Sequence, residues 1–221
     1  MIKINESTLT FLSDLKKNNN KEWFAGNRSR YIEAKENFEA FIQAAINGIG
    51  SFDPFIRDLE VSSCTYRINR DIRFSSDKSI YKTHLGAFIV RGGKKNGDRY
   101  AGYYIHVEPG NLSMLAGGAY MPPAEWLRAI REKIDDQGDE LVKIITDPEF
   151  GKYFGELEGE KLKTAPKGYP GDHKYIDLLK HKSYLVTSMI SDDRITSKGC
   201  LEYITGASEA MKDLNNFLSE Y

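Results

Sequence analysis

Over the first fifty residues, apolar stripes at helical spacing alternate with short polar breaks. Leu9, Phe11, Leu12 and Leu15 recur at helical spacing after Ser7, a candidate N-cap, and predict an amphipathic first helix. The polar stretch "KNNNKEWFAGN" interrupts them. Tyr31, Ala34, Phe38, Phe41, Ile42, Ala45, Ile46 and Ile49 then form the stripe of a longer helix, closed by Gly48, Gly50 and Asp53-Pro54.

In the middle of the chain the period shortens to that of strands. "SCTYRI" alternates, which puts Cys64, Tyr66 and Ile68 on one strand face and Thr65, Arg67 and Asn69 on the other. "HLGAFIVRG" is a short apolar run, followed by an Asn96-Gly97 turn and then a Pro109-Gly110 turn of type II character. Residues 84–118 therefore read as a three-stranded antiparallel meander. Pairing Glu108 with Asn111 across the second turn sets Val107 opposite Leu112. One face then carries Tyr103, Ile105, Val107, Leu112, Met114 and Ala116. The other carries Tyr104, His106, Glu108, Asn111, Ser113 and Leu115. A slip of one residue would exchange these faces.

Helical spacing returns after Pro122-Pro123, through Trp126, Leu127, Ile130 and Ile134, with a second short helix expected over 139–146. The turn-rich segment 162–184 is helical only around 175–179. "SYLVTSMIS" reads as a further strand, and a closing helix runs from Ser197 to Leu218. No repeat, low-complexity segment or linker interrupts the chain. The expected fold is α+β: one domain over residues 1–221, helices packed on a mostly antiparallel sheet.

Composition narrows the function classes. The net charge of −1 provides no global field toward nucleic acid or anionic lipid, so anion binding has to be local. The polar, amphipathic start lacks the marks of a signal peptide, and no apolar run is long enough to span a bilayer. A cytoplasmic protein with no membrane partner is expected. The two cysteines, Cys64 and Cys200, have no ligand spacing and read as buried thiols.

Three segments carry candidate chemistry. In "TYRINRDIRFSSDKSIYKTHLGAF", Arg67, Arg70, Arg73, Lys78 and Lys82 crowd together against Asp71 and Asp77. Guanidinium forks suit phosphate or carboxylate, and Arg67, on a strand facing His106, would meet either Glu108 or a ligand. The plain alternative is a solvated loop whose cations pair with its own aspartates. In "YYIHVEPGN", His106 and Glu108 share a strand face. They can form a hydrogen-bonded pair, a base with its orienting carboxylate, or two metal ligands needing His84 or His173 as a third. In "LKTAPKGYPGDH", Lys163, Lys167, Tyr169, Asp172 and His173 lie on a Pro/Gly-rich loop, either a connection or a lid. The chain has no nucleophile elbow, dinucleotide fingerprint, H-E-x-x-H or kinase signature.

The segments "FLSDLKKNNNKEWFAGNRSRY", "YRINRDIRFSSDKSIYKTHLGAF", "GYYIHVEPGNLSMLAGGAYMP" and "LKTAPKGYPGDHKYIDLLKHKSY" together resemble the family classed as domain of unknown function 2461, found in bacteria and fungi. The resemblance spans nearly the whole chain and implies a single-domain cytosolic protein. It implies no activity. The chain departs from it at Asn69, where a bulkier residue is expected.

The favoured expectation is an enzyme acting on a small phosphorylated or carboxylated substrate. His106 and Glu108 would be catalytic. Arg67, Arg70, Arg73, Lys82 and Lys167 would bind the anion, supported by Tyr81, His84, Tyr104, Tyr169 and His173, with no metal or cofactor. One alternative is a non-catalytic module for a nucleotide or single-stranded nucleic acid, with Tyr66, Phe74, Tyr81, Tyr104 and Tyr169 stacking bases. Near-zero net charge weighs against extended nucleic acid. The other is an interaction domain whose polar clusters are structural.

Overall fold

A computed structural model describes residues 2–71, 73 and 78–219; Phe74 and Asp77, named above, lie outside them. Helix α1 (Glu6–Lys17) buries Leu9, Phe11, Leu12 and Leu15, as the stripe predicts. Its N-cap is Asn5 rather than Ser7, which falls inside the first turn. The polar break is itself a short helix, α2 (Lys21–Gly26), because the Asn20 side chain accepts from the Trp23 N–H. α3 (Arg28–Ile49) buries Ala34, Phe38, Phe41, Ile42, Ala45, Ile46 and Ile49.

Four strands form one antiparallel sheet in the order β1 (Leu85–Ile89), β2 (Gly102–Val107), β3 (Ser113–Ala119) and β4 (Tyr184–Ile190). The fold class is α+β, with the expected meander and a fourth strand added to it. Leu85, Ala87 and Ile89, Tyr103, Ile105 and Val107, Leu115, and Tyr184, Val186 and Ile190 share one face, and all are buried. Helix α9 (Cys200–Leu218) lies on this face against β3 and also contacts α3. Each fully buried aliphatic here is worth about 1.5–3 kcal/mol relative to exposure. Gly117 lets α9 approach: a Cβ there would meet Met211 Sδ and come within 2.6 Å of the Gly102 carbonyl oxygen. Trp126 of α5 (Ala124–Ile145) donates its indole N–H to the Leu218 carbonyl at 2.6 Å. The two helices expected around Ile130 and 139–146 are this one element, broken only by non-helical dihedrals at Gln137.

Both turns of the meander differ from expectation. Asn96-Gly97 is not a tight hairpin. β1 and β2 are joined by a longer loop with positive φ at Gly92 and Gly93 and a 3-10 turn over Lys94–Asn96. Across the second turn, His106 pairs with Met114 and Tyr104 with Ala116, one residue out of the expected register. Positive φ continues past Gly110 to Asn111, lengthening the loop. Distant chain holds it there: the Asp192 carboxylate accepts the Gly110 and Asn111 N–H groups at 2.8 and 3.0 Å, and Asn111 Oδ1 accepts the Asp192 N–H at 2.9 Å. So β2 keeps its expected faces, while Leu112, Met114 and Ala116 move outward and Ser113 and Leu115 inward.

The expected "SCTYRI" strand is not a regular strand. Val61–Cys64 is the short helix α4, and the chain then joins the outer edge of β1 only through an isolated bridge, Thr65 to Ala87. A bridge from Glu158 to Leu185 likewise covers part of the outer edge of β4, while Asn69 bridges Tyr81 outside the four strands. Between β3 and β4 lie α5, α6 (Pro148–Tyr153) and α7 (Ile176–Leu179). α8 (Asp192–Ile195) follows β4. Cys64 and Cys200 are buried and unbridged. Among the described residues, no helix is long and apolar enough to cross a membrane.

Candidate functional site

The site grows from the β1–β2 register. Gly86 lies opposite His106, and the same register carried one residue past its last pair, Leu85 and Val107, sets His84 opposite Glu108. All four belong to the sheet face turned away from α9. Gly86 has a specific use. The Tyr104 hydroxyl sits where its Cβ would project, at 2.8 Å, and so reaches His106 Nδ1 at 3.1 Å. On the other side of the ring, His106 Nε2 lies 2.9 Å from Glu108 Oε2. With Glu108 ionised, Nε2–H donates to the carboxylate and Nδ1 accepts from Tyr104, which fixes one neutral tautomer.

Glu108 is held from three directions. Besides His106, the Thr83 hydroxyl donates to Oε1 at 3.1 Å, and Lys16 Nζ lies 3.8 Å from the same oxygen. Burial alone would raise the Glu108 carboxyl. The hydrogen bonds from His106 and Thr83 outweigh it and hold the group below the usual range. His84 stacks on the His106 ring at 4.2 Å, and burial, aided by that neighbour, brings it down to about 4. The Tyr104 hydroxyl is pushed up to about 12, chiefly by burial. His84, His106 and Glu108 each offer a donor atom within 4.8 Å of the others.

Beside this cluster opens a cleft of about 530 Å³ lined by Lys16, Asn19, Arg70, Asp71, Ser79, Tyr81, Lys82, Thr83 and His84. Its two walls are tied together. Asn19 Nδ2 donates to the Tyr81 carbonyl and Asn19 Oδ1 accepts the Tyr81 N–H, each at 2.9 Å, so one amide side chain pairs with backbone as a strand would. Tyr81 stacks on Phe24 at 4.0 Å and is buried. Lys82 Nζ lies 5.1 Å from the Tyr66 ring centroid, and burial and the charge of Arg67 lower its pKa.

Of the residues singled out in the sequence, the structure brings His84, Tyr104, His106 and Glu108 into one cluster, with Arg70, Tyr81 and Lys82 on the adjoining cleft. Arg67 is exposed, and among the described residues no ion pair joins it to Glu108. Tyr66, not Arg67, is the neighbour of the His106 face, 6.5 Å from Tyr104. Arg73 pairs with Asp71 at 2.6 Å and is largely exposed. His173, Tyr169 and Lys167 do not line the cleft. His173 bonds Asp135 of α5 at 2.8 Å and touches Tyr169 and Tyr175, and Lys167 is exposed. Lys16, Asn19 and Thr83 were not anticipated. Lys16 and Asn19 stand at the end of α1, more than sixty residues from the cluster, and no local pattern marks them.

The family described as conserved hypothetical protein (DUF2461) matches residues 7–217. The chain belongs to this family. The match runs through every element of this DUF2461 chain that builds the cleft and the cluster beside it. No curated protein matches the chain. No solved structure matches it.

Proposed function

We propose that the protein is an enzyme that binds a small phosphorylated or carboxylated substrate in the cleft between α1 and the 78–84 segment, with His106 and Glu108 as its reactive pair. One observation carries this reading: Lys16, Arg70 and Lys82 converge on a cleft whose inner wall, Thr83 and His84, touches Glu108 and His106. Lys82 is half-buried and has no carboxylate partner among the described residues. A bound anion supplies the countercharge that burial makes favourable. By itself the reactive pair is a proton acceptor, its imidazole oriented by Tyr104 on one nitrogen and Glu108 on the other.

The nucleic-acid alternative draws less support. Tyr81 commits its ring to Phe24, and Tyr169 lies at His173, so the aromatic groups among the described residues do not form one stacking platform.

Calorimetric titration of inorganic phosphate into wild-type protein and Lys82→Met tests the reading. Wild type is expected to bind one phosphate, and K82M to bind it about tenfold more weakly, the scale of one charge-assisted hydrogen bond. Absence of binding, or equal affinity in both proteins, removes it.

A further inference from the structure

We propose that His84, His106 and Glu108 hold a divalent first-row transition-metal ion, with zinc the best match to two imidazoles and one carboxylate. The proposal rests on the anion-cleft reading for what the metal acts on, but not for its ligands. One donor atom from each residue lies within 4.8 Å of the other two, and His106 Nε2 and Glu108 Oε2 are 2.9 Å apart. Zinc bonds of about 2.1 Å place tetrahedral donors about 3.4 Å apart, so the His106–Glu108 pair needs to open by about 0.5 Å and the longest of the three separations to close by no more than about 1.4 Å.

The surroundings already do what the outer partners of a metal site do. Thr83 occupies Glu108 Oε1, which leaves Oε2 for the ion. Tyr104 bonds His106 Nδ1, so an ion at Nε2 takes the place of the proton given to Glu108 Oε2, and the neutral ring then carries its proton on Nδ1 and donates it to the Tyr104 hydroxyl oxygen. His84 has no hydrogen-bond partner among the described residues, although it is half-buried. A ring nitrogen without a partner in a polar cluster is a donor available to a metal. The neighbouring cation, Lys16, stands on the Oε1 side and is more than half exposed.

Three protein ligands leave coordination positions open. His84 lines the cleft, so an open position can face a substrate oxygen held by Arg70 and Lys82. The two atoms that share a proton in the bare pair, His106 Nε2 and Glu108 Oε2, are the ones that would bind the ion. Loading with metal therefore displaces that proton, and proton acceptance would pass to a metal-bound hydroxide.

The test is calorimetric titration of Zn²⁺ into untagged, chelator-treated full-length protein, with His84→Ala, Glu108→Gln and His173→Ala as variants. The expected result is one zinc per chain. Affinity should fall by more than about 100-fold in H84A and E108Q, beyond the loss an outer partner alone causes, and stay unchanged in H173A. No zinc binding, or binding indifferent to H84A and E108Q, overturns the proposal. Should those variants fail to fold, imidazole NMR of the wild type decides. Zinc must shift two of the four histidines, and shifts of none or of a single one overturn it. The phosphate titration separates the two ideas. Phosphate binding without zinc binding sinks the metal and spares the cleft; zinc binding without phosphate binding does the reverse.

Discussion

Two histidines show how neighbours decide a side chain's use. His106 and Glu108 were legible as a pair because residues two apart on a strand share a face whatever the register. The choice of His84 over His173 as their companion was not legible. It depends on how β1 aligns with β2 across a long loop, and on Gly86 leaving room for the Tyr104 hydroxyl. His181 drew no attention in the sequence, and it is a structural histidine. It is 1% exposed, its Nδ1 lies 3.2 Å from the Ser183 carbonyl oxygen, and Arg131 donates to its own carbonyl. Burial, then the charge of Lys161, lowers it below 6.5, against smaller opposing effects that include Asp177. The unfolded chain therefore takes up this proton first as pH falls, and the folded state loses stability through the window below 6.5. The urea midpoint is expected to drop between pH 7 and pH 5, and to drop less steeply in His181→Asn. Equal slopes would show that His181 does not contribute.

The elements most visible in the sequence are those whose order is local. The stripes of α1 and α3 are buried as their spacing predicts, Tyr31 only partly, because a helix face is set by residues three and four apart. Strand pairing depends on distant chain. Asp192 holds Asn111 in a left-handed conformation, and that extra loop residue turns Leu112 out and Leu115 in. The "SCTYRI" alternation reads as a strand, but Val61–Cys64 takes a helical turn and only isolated bridges continue it. That leaves Arg67 exposed. The contact between β3 and α9 has its own test. Gly117→Ala drives a methyl into Met211 and the Gly102 carbonyl, and overpacking of this kind costs about 1–3 kcal/mol. A lowered melting temperature is expected, and an unchanged one would mean that α9 sits farther from the sheet.

At the scale of the whole molecule, the helices cover one sheet face and leave the other to the site. α9 and its neighbours bury the inner residues of all four strands, while the opposite face presents Tyr104 and His106 beside the cleft that α1 and the 78–84 segment enclose. Chemistry carried on β2 is thus joined to cations from α1 and from the loop before β1. Assembly of that kind was beyond the sequence, because Lys16 and Asn19 meet Glu108 and Tyr81 only once the chain has closed on itself. A crystal structure grown in inorganic phosphate tests the cleft itself. The ion is expected within hydrogen-bonding distance of Lys82 and Arg70, next to His84. A well-ordered cleft without phosphate, with the ion bound only at other surface lysines, would contradict the proposed site.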